Sequence, residues 1–311
     1  IIPPETIPAG KKTKLVTSMD SVARKVISDG TLHQVRVGYS DGIKNITIAN
    51  SSGLLTREQR CYTFLTITVT TGRKSVIQSG HEVLGGTVGW EKFEKDNPFR
   101  YARIAAQRAR QLLDAEPAKA QEMPVVISSE AGGTMIHEAI GHCLEADLVQ
   151  KGISPAYRGK LGQQVASRKL TVVDDATLPT RNGSYAFDDE GTPAKRTVIV
   201  DKGRVNALMT DREYAQKFSK IATKIENGFE FAPSGNARAF DFRVTPIIRM
   251  RNTYFEPGDM TWDELLEPIK FGYYFVDFRG GQASLEGTFT VGVQEAYEIV
   301  NGEIGDPVRG V

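Results

Sequence analysis

Met123-Pro124-Val125-Val126-Ile127-Ser128 leads into Ser129-Glu130-Ala131-Gly132-Gly133 and then Thr134-Met135-Ile136-His137-Glu138-Ala139-Ile140-Gly141-His142. The first block reads as a short strand, the second as a glycine-bearing loop, and the third as a helix running to about Val149. Just ahead lies the polar stretch 115–121, which marks a domain boundary. The expected organisation is a domain over 1–120 and another over 121–311.

Working outward toward the N-terminus, residues 98–116 carry Ala and Leu at helical spacing among arginines and read as a surface helix. Residues 80–89 are glycine-rich, a loop or a bent edge strand. Residues 62–71 and 73–79, joined at Gly72, read as a strand pair. Val35-Arg36-Val37-Gly38-Tyr39 and Asn45-Ile46-Thr47-Ile48-Ala49 alternate on either side of Ser40-Asp41-Gly42, which reads as a hairpin turn. Residues 14–28 fit an amphipathic helix that Gly30 would end. Residues 1–10, with three prolines, read as an extended linker. The chain opens without Met and closes without a helix cap, so a fragment at both ends is expected.

Toward the C-terminus, residues 170–174 read as a short buried strand. Residues 197–200 and 204–210 flank Asp201-Lys202-Gly203, a hairpin signal. Asp211 is placed to cap a helix through Phe218, and Thr261 to open another that ends near Pro268. The fold class expected is α+β: mostly antiparallel sheets with flanking helices, two domains, and the His137–His142 motif on a distorted helix.

Composition sets bounds. Hydrophobic residues make up 40% and charged residues 25%, as in an ordinary soluble globular protein. The net charge of +1, from 39 Lys+Arg against 38 Asp+Glu, argues against a nucleic-acid partner. No apolar run approaches a membrane span. Cys61 and Cys143 are the two cysteines. They suggest no disulfide framework and fit a reducing cytoplasm. Both are expected to be packed residues.

The chemistry sits in His137-Glu138-Ala139-Ile140-Gly141-His142. Imidazole nitrogen suits zinc, and a catalytic zinc keeps one position open for water. The ion lowers the pKa of that water, and an adjacent carboxylate can take its proton. Glu138 follows the first histidine, where the general base stands in the pattern with histidines four apart. Here they are five apart, which on a regular α-helix leaves them roughly 140° apart. A π-type bulge would bring them toward one side. A bulge or kink is therefore expected at 139–141, with Gly141 allowing it. A third ligand is expected. Glu145 and Asp147 are weak candidates that equally fit a solvated helix face. His33 and His81 read as ordinary polar histidines. The plain alternative for the motif is two helix histidines near a surface acid.

Residues 132–147, containing this motif, resemble the metallopeptidase motif of the TldD/PmbA family. So do Asp188-Asp189-Glu190-Gly191-Thr192-Pro193-Ala194-Lys195-Arg196-Thr197, Ser234-Gly235-Asn236-Ala237-Arg238, and Gly287-Thr288-Phe289 with Gln294-Glu295-Ala296-Tyr297. The first 120 residues resemble the family's middle region more loosely. The resemblance implies a cytosolic zinc peptidase acting on small or unfolded peptides. His137 and His142 would be the zinc ligands and Glu138 the catalytic carboxylate. It implies one zinc per chain, with a third ligand, a cysteine near the family's C-terminus, beyond Val311. It implies a homodimer, or a heterodimer with a motif-lacking relative, and an opening domain ahead of Ile1. Asn236 and Arg238 are candidates to bind substrate carboxylate or backbone, and Gly280 and Gly281 to let a peptide backbone approach closely. Plain turns are the alternative reading for 181–184 and 188–193. Two other readings of the whole are a non-catalytic binding or scaffold subunit, and a DNA-associated modulator of the kind that gyrase-related family names suggest.

Overall fold

The computed structural model describes residues 1–154, 157–222, 231–283 and 288–311. Helix α1 (Ala9–Val26) is followed by β1 (Leu32–Ala49), β2 (Leu55–Arg73) and β3 (Val76–Gly86), which form an antiparallel sheet in that order. Next come α2 (Glu91–Lys95), α3 (Pro98–Asp114), β4 (Glu116–Pro117), β5 (Val125–Ile127) and α4 (Ser129–Ile136). Then follow α5 (Ala146–Gln150), β6 (Val172–Asp175), β7 (Arg196–Asp201), β8 (Arg204–Val205), α6 (Arg212–Ala222), β9 (Ala237–Arg238), β10 (Ile247–Ile248), β11 (Asn252–Phe255) and α7 (Trp262–Leu266). The chain closes with β12 (Phe271–Ala283), β13 (Phe289–Val300) and β14 (Glu303–Arg309).

A four-stranded sheet runs β11-β6-β7-β8, a five-stranded one β4-β14-β13-β12-β5, and β9 pairs with β10. Only β5 on β12 and β4 on β14 are parallel among these ladders. The protein is α+β with antiparallel pairing dominant, as expected. Among the described residues no helix is long and apolar enough to cross a membrane.

The first sheet departs from its expected layout. Ser40-Asp41-Gly42 is not a turn. β1 runs straight through it, with Asp41 opposite Thr63 and Gly42 opposite Tyr62 on β2. The turn falls at Asn50, whose Oδ1 accepts from Ser52 N at 3.0 Å and Leu54 N at 3.1 Å, with Gly53 at φ 86°. A side-chain-capped turn with a glycine in the left-handed region outcompetes a turn that would abandon a full-length partner strand. The β2–β3 turn likewise lies at Lys74, at φ 54°, rather than at Gly72. Residues 80–86 belong to β3, an edge strand. The N-terminal linker shrinks because α1 starts at Ala9.

β2 buries alternate residues, Leu65, Ile67 and Val69, under α1 and α3. Each such side chain stabilises the fold by about 1.5–3 kcal/mol relative to exposure. α3 is less of a surface helix than its arginines suggest. Ala102, Ala105, Ala106 and Ala109 are wholly buried. A Cβ on Gly80 of β3 would lie 2.1 Å from Ala105 O, so helix and strand touch backbone to backbone. Arg108 is also buried, and it pairs with Glu82 of β3, Asp277 of β12 and Glu295 of β13 at 2.8–3.1 Å. That cluster ties the first sheet to the five-stranded one. Gln294 adds to the tie, bonding His81 N, His81 O and Asp277 Oδ2.

Candidate metal centre

The motif begins at the edge of the five-stranded sheet. β5 pairs with Tyr273–Phe275 of β12, and Ser128 N donates to Phe275 O at 2.9 Å. Ser128 Oγ donates to Val276 O at 2.6 Å and accepts from Ala131 N at 3.0 Å, capping α4. The expected loop at 129–133 is thus already helix. A serine cap holds its first turn, and Gly133 lies within it.

After Ile136 the helix widens. Residues His137–Gly141 are π-helical and His142–Leu144 form a 3-10 turn. His142 N–H donates to His137 O, so the five-residue hydrogen bond that defines the wide turn joins the two histidines themselves. Their ring centroids stand 4.7 Å apart with planes at 82°. The expected distortion is present. Ile136, Ile140 and Leu144, buried in the core on the far side, hold the segment in place. Gly141 has ordinary helical angles, and its smallness serves another purpose. A Cβ there would lie 1.9 Å from Met250 Sδ.

Met250 is held by its neighbour. Arg251 and Asp174 form an ion pair with both side chains fully buried, Nε to Oδ2 at 2.6 Å. Arg251 also donates to Lys195 O, Ser234 O and Thr197 Oγ1. Asn236 is wholly buried here, its amide donating to Asp174 Oδ2 at 2.8 Å and Arg249 O at 2.9 Å. That amide is spent inside the protein, unlike the substrate contact expected of it. Arg238 is exposed and donates to Met250 O at 3.0 Å, so it too braces this segment. The acidic turn at 188–193 belongs to the same framework. Asp188 accepts from Glu190 N, Thr192 N and Ala237 N.

Glu138 lies against β12. A Cβ on Gly281 would come within 2.9 Å of Glu138 Cγ and 3.3 Å of its Oε1. The β12–β13 register shifts between Phe278 and Gly281, and Gly280 sits at φ 131°. The bulge and Gly281 therefore make room for the motif carboxylate. Of the candidate site residues, the fold gathers His137, Glu138, His142 and Gly281, with Gly280 beside them. Gly287 lies outside the described residues.

Glu145 is not on a solvated face. It is 2% exposed, and its Oε1 lies 3.5 Å from His142 Nδ1. This contact pushes the His142 pKa up. Burial, then the neighbouring His142, pushes that of His137 down. Arg249 is exposed, and its charge is felt at both imidazoles. Glu145 stood in the sequence only as a weak ligand candidate, and nothing there pointed to Met250, Arg249 or the Asp174–Arg251 pair. Only Glu145 carried a local signal, because a residue three after a helical histidine can face it. Cys61 and Cys143 are buried and free, as expected.

Two rings each presenting a nitrogen about 2.1 Å from one tetrahedral zinc have centroids about 5 Å apart. The observed 4.7 Å fits a shared ion. Among the described residues no three His, Cys, Asp or Glu side chains converge as a complete metal site, so a metal on this pair would need a further ligand.

Residues 120–311 match the model of the PmbA/TldA metallopeptidase C-terminal domain, and residues 2–113 match that of the central domain. The chain belongs to the TldD/PmbA family. A metalloprotease from Methanothermobacter thermautotrophicus is 38% identical over 99% of this chain. A zinc metalloprotease TldD homologue from Saccharolobus solfataricus is 36% identical over 68% of this chain and 44% of its own length. The chain spans 64% of the Methanothermobacter protein and 63% of a Haemophilus influenzae TldD homologue to which it is 33% identical. Among solved structures, a Thermotoga maritima protein described as a candidate modulator of a DNA gyrase superposes with a TM-score of 0.80 at 25% identity. That superposition covers 99% of this chain and 66% of the other. TldE from Thermococcus kodakarensis shares the fold, with a TM-score of 0.73 at 19% identity, over 95% of this chain and 63% of that one.

Proposed function

We infer that this TldD/PmbA chain carries the catalytic half-site of a zinc-dependent peptidase. The observation that carries the reading is the five-residue hydrogen bond that brings the His137 and His142 rings to 4.7 Å from each other. These two imidazoles would hold zinc, with a third ligand from outside the described residues. Zinc, when bound, supplies Lewis acidity that polarises a carbonyl and acidifies water. Glu138 accepts the proton of the attacking water and returns it to the leaving amine nitrogen. Burial pushes the His137 pKa down, which favours the neutral ring that a metal needs.

Substrate is proposed to lie extended along β12. Pairing of β12 with β5 ends at Phe275, and Ser128 Oγ takes Val276 O, so a substrate main chain would meet β12 beyond Val276, where Gly281 lies beside Glu138. Gly280 and Gly281 let a peptide approach closely there. Main-chain recognition of this kind selects extended chains with little regard to sequence, hence small or unfolded peptides. Asn236 and Arg238 are assigned to the framework. The two family-model matches suit domains meeting near residue 120. A second copy or a motif-lacking relative is the proposed partner, and the cytoplasm the proposed location.

Glu138→Gln tests the reading. Peptide turnover by the zinc-loaded protein should fall by about 10²–10⁴-fold, with zinc content and melting temperature unchanged. A scaffold subunit would show no such loss, and turnover that survives the substitution sinks the proposal. Rapid cleavage of a stably folded substrate would overturn the substrate class.

A further inference from the structure

Glu145 follows the 3-10 turn, where the backbone becomes extended at φ −70° and ψ 117°. The chain is clamped on both sides of it. Met209 N donates to Leu144 O at 2.9 Å and Ala146 N to Met209 O at 3.0 Å. The side chain is turned inward and is 2% exposed, and Oε1 has no hydrogen-bond partner at normal geometry. A carboxylate oxygen buried in that way is costly unless a donor meets it. The group facing it is His142 Nδ1, at 3.5 Å, the outer limit of a hydrogen bond. A slight rotation of the ring shortens the contact.

We propose that Glu145 is a positioning residue that accepts the Nδ1 hydrogen of His142 and so leaves the Nε2 lone pair free for the metal. This rests on the zinc reading of the site. A neutral imidazole carries one N–H, and an ionised carboxylate only accepts. The hydrogen is therefore drawn to Nδ1, and the ring is fixed in both tautomer and rotation.

Long-range proton–nitrogen NMR spectra of the metal-free, ¹⁵N-labelled protein, at a pH where both rings are neutral, read the tautomer directly. Wild type should show His142 with its hydrogen on Nδ1. Glu145→Met, of similar length with no acceptor, should move it toward Nε2. Glu145→Gln, whose amide oxygen still accepts, should keep it on Nδ1. Chelator competition should show zinc binding weakened about 10–100-fold in Glu145→Met and largely restored in Glu145→Gln. Wild-type His142 with its hydrogen on Nε2 overturns the proposal, whether or not Glu145→Met folds. So does an unchanged tautomer, or unchanged zinc affinity, in a folded Glu145→Met. The expected tautomer in a full-length protein that binds no zinc supports Glu145's hold on the ring and defeats the zinc reading instead.

Discussion

Helix α3 and the segment from Ser129 to Leu144 are of similar length, and each lies against a sheet. Yet α3 is one regular helix of 17 residues, while the other divides into α, π and 3-10 stretches of 8, 5 and 3 residues. The difference follows from what each must satisfy. The contacts of α3 are made by Ala102, Ala105, Ala106 and Ala109, whose spacing is that of an α-helix. The second segment buries Ile136, Ile140 and Leu144, spaced by four, while its two histidines, spaced by five, are joined by a wide-turn hydrogen bond. A turn wider than 3.6 residues serves both spacings, and the backbone takes it. Irregularity here marks a local demand that the regular period cannot meet.

The largest expected effect lies in what holds the irregular segment. Arg251→Ala leaves the fully buried Asp174 charge without its partner and should cost about 3–5 kcal/mol, read from the urea midpoint. A loss under 1 kcal/mol would show that the Met250 segment is held by something else.

Next come two glycines that set the halves of the comparison against each other. Gly80→Ala drives a Cβ into the Ala105 carbonyl, which cannot yield without moving α3. It should cost about 1–3 kcal/mol of stability and leave zinc affinity alone. Gly141→Ala meets Met250 Sδ, on a flexible side chain. Its cost in melting temperature should be the smaller of the two, but zinc affinity should fall as the wide turn is pushed. Adding Met250→Ala should restore affinity. If Gly141→Ala instead behaves like Gly80→Ala, destabilising the fold while binding zinc normally, the contrast between the two helices fails.

The smallest effect is a pH dependence in the regular half. The Asp29 carboxylate accepts from the Thr31 hydroxyl and amide and from Arg110 of α3. These bonds, led by the Thr31 hydroxyl, lower its pKa from 3.8 to about 2. A depressed pKa means that the ionised form stabilises the fold above pH 4, and that this is lost as pH falls through about 2. Melting temperatures of wild type and Asp29→Asn should therefore differ at pH 6 and converge near pH 2. A gap that is constant across that range would refute the assignment.

Much of the fold was legible because strands and caps are local devices. The alternation of β2, the Asp201-Lys202-Gly203 hairpin, the Asp211 cap and the Thr261 capping box with Glu264 all stand where their residues put them. What misled was local chemistry overruled at a distance. Ser40-Asp41-Gly42 has turn residues, but β2 supplies seventeen consecutive positions a partner strand can follow, and the ladder continues. Arg108 looked like a surface charge until three carboxylates from other elements surrounded it. Asn236 looked like a substrate contact until the Asp174–Arg251 pair took its amide.

From the order of residues alone came the two imidazoles, the carboxylate between them, and a spacing that a regular helix cannot turn toward one ion. Tertiary structure decided that the two rings come within 4.7 Å of each other. The choice of helix type falls to packing: three apolar side chains pulled into a core, and a methionine seated on a glycine about a hundred residues away in the chain. Burial likewise turned Glu145 from one acid among many into the group that faces His142. No spacing rule reports burial, because it depends on segments that meet only when the chain has folded.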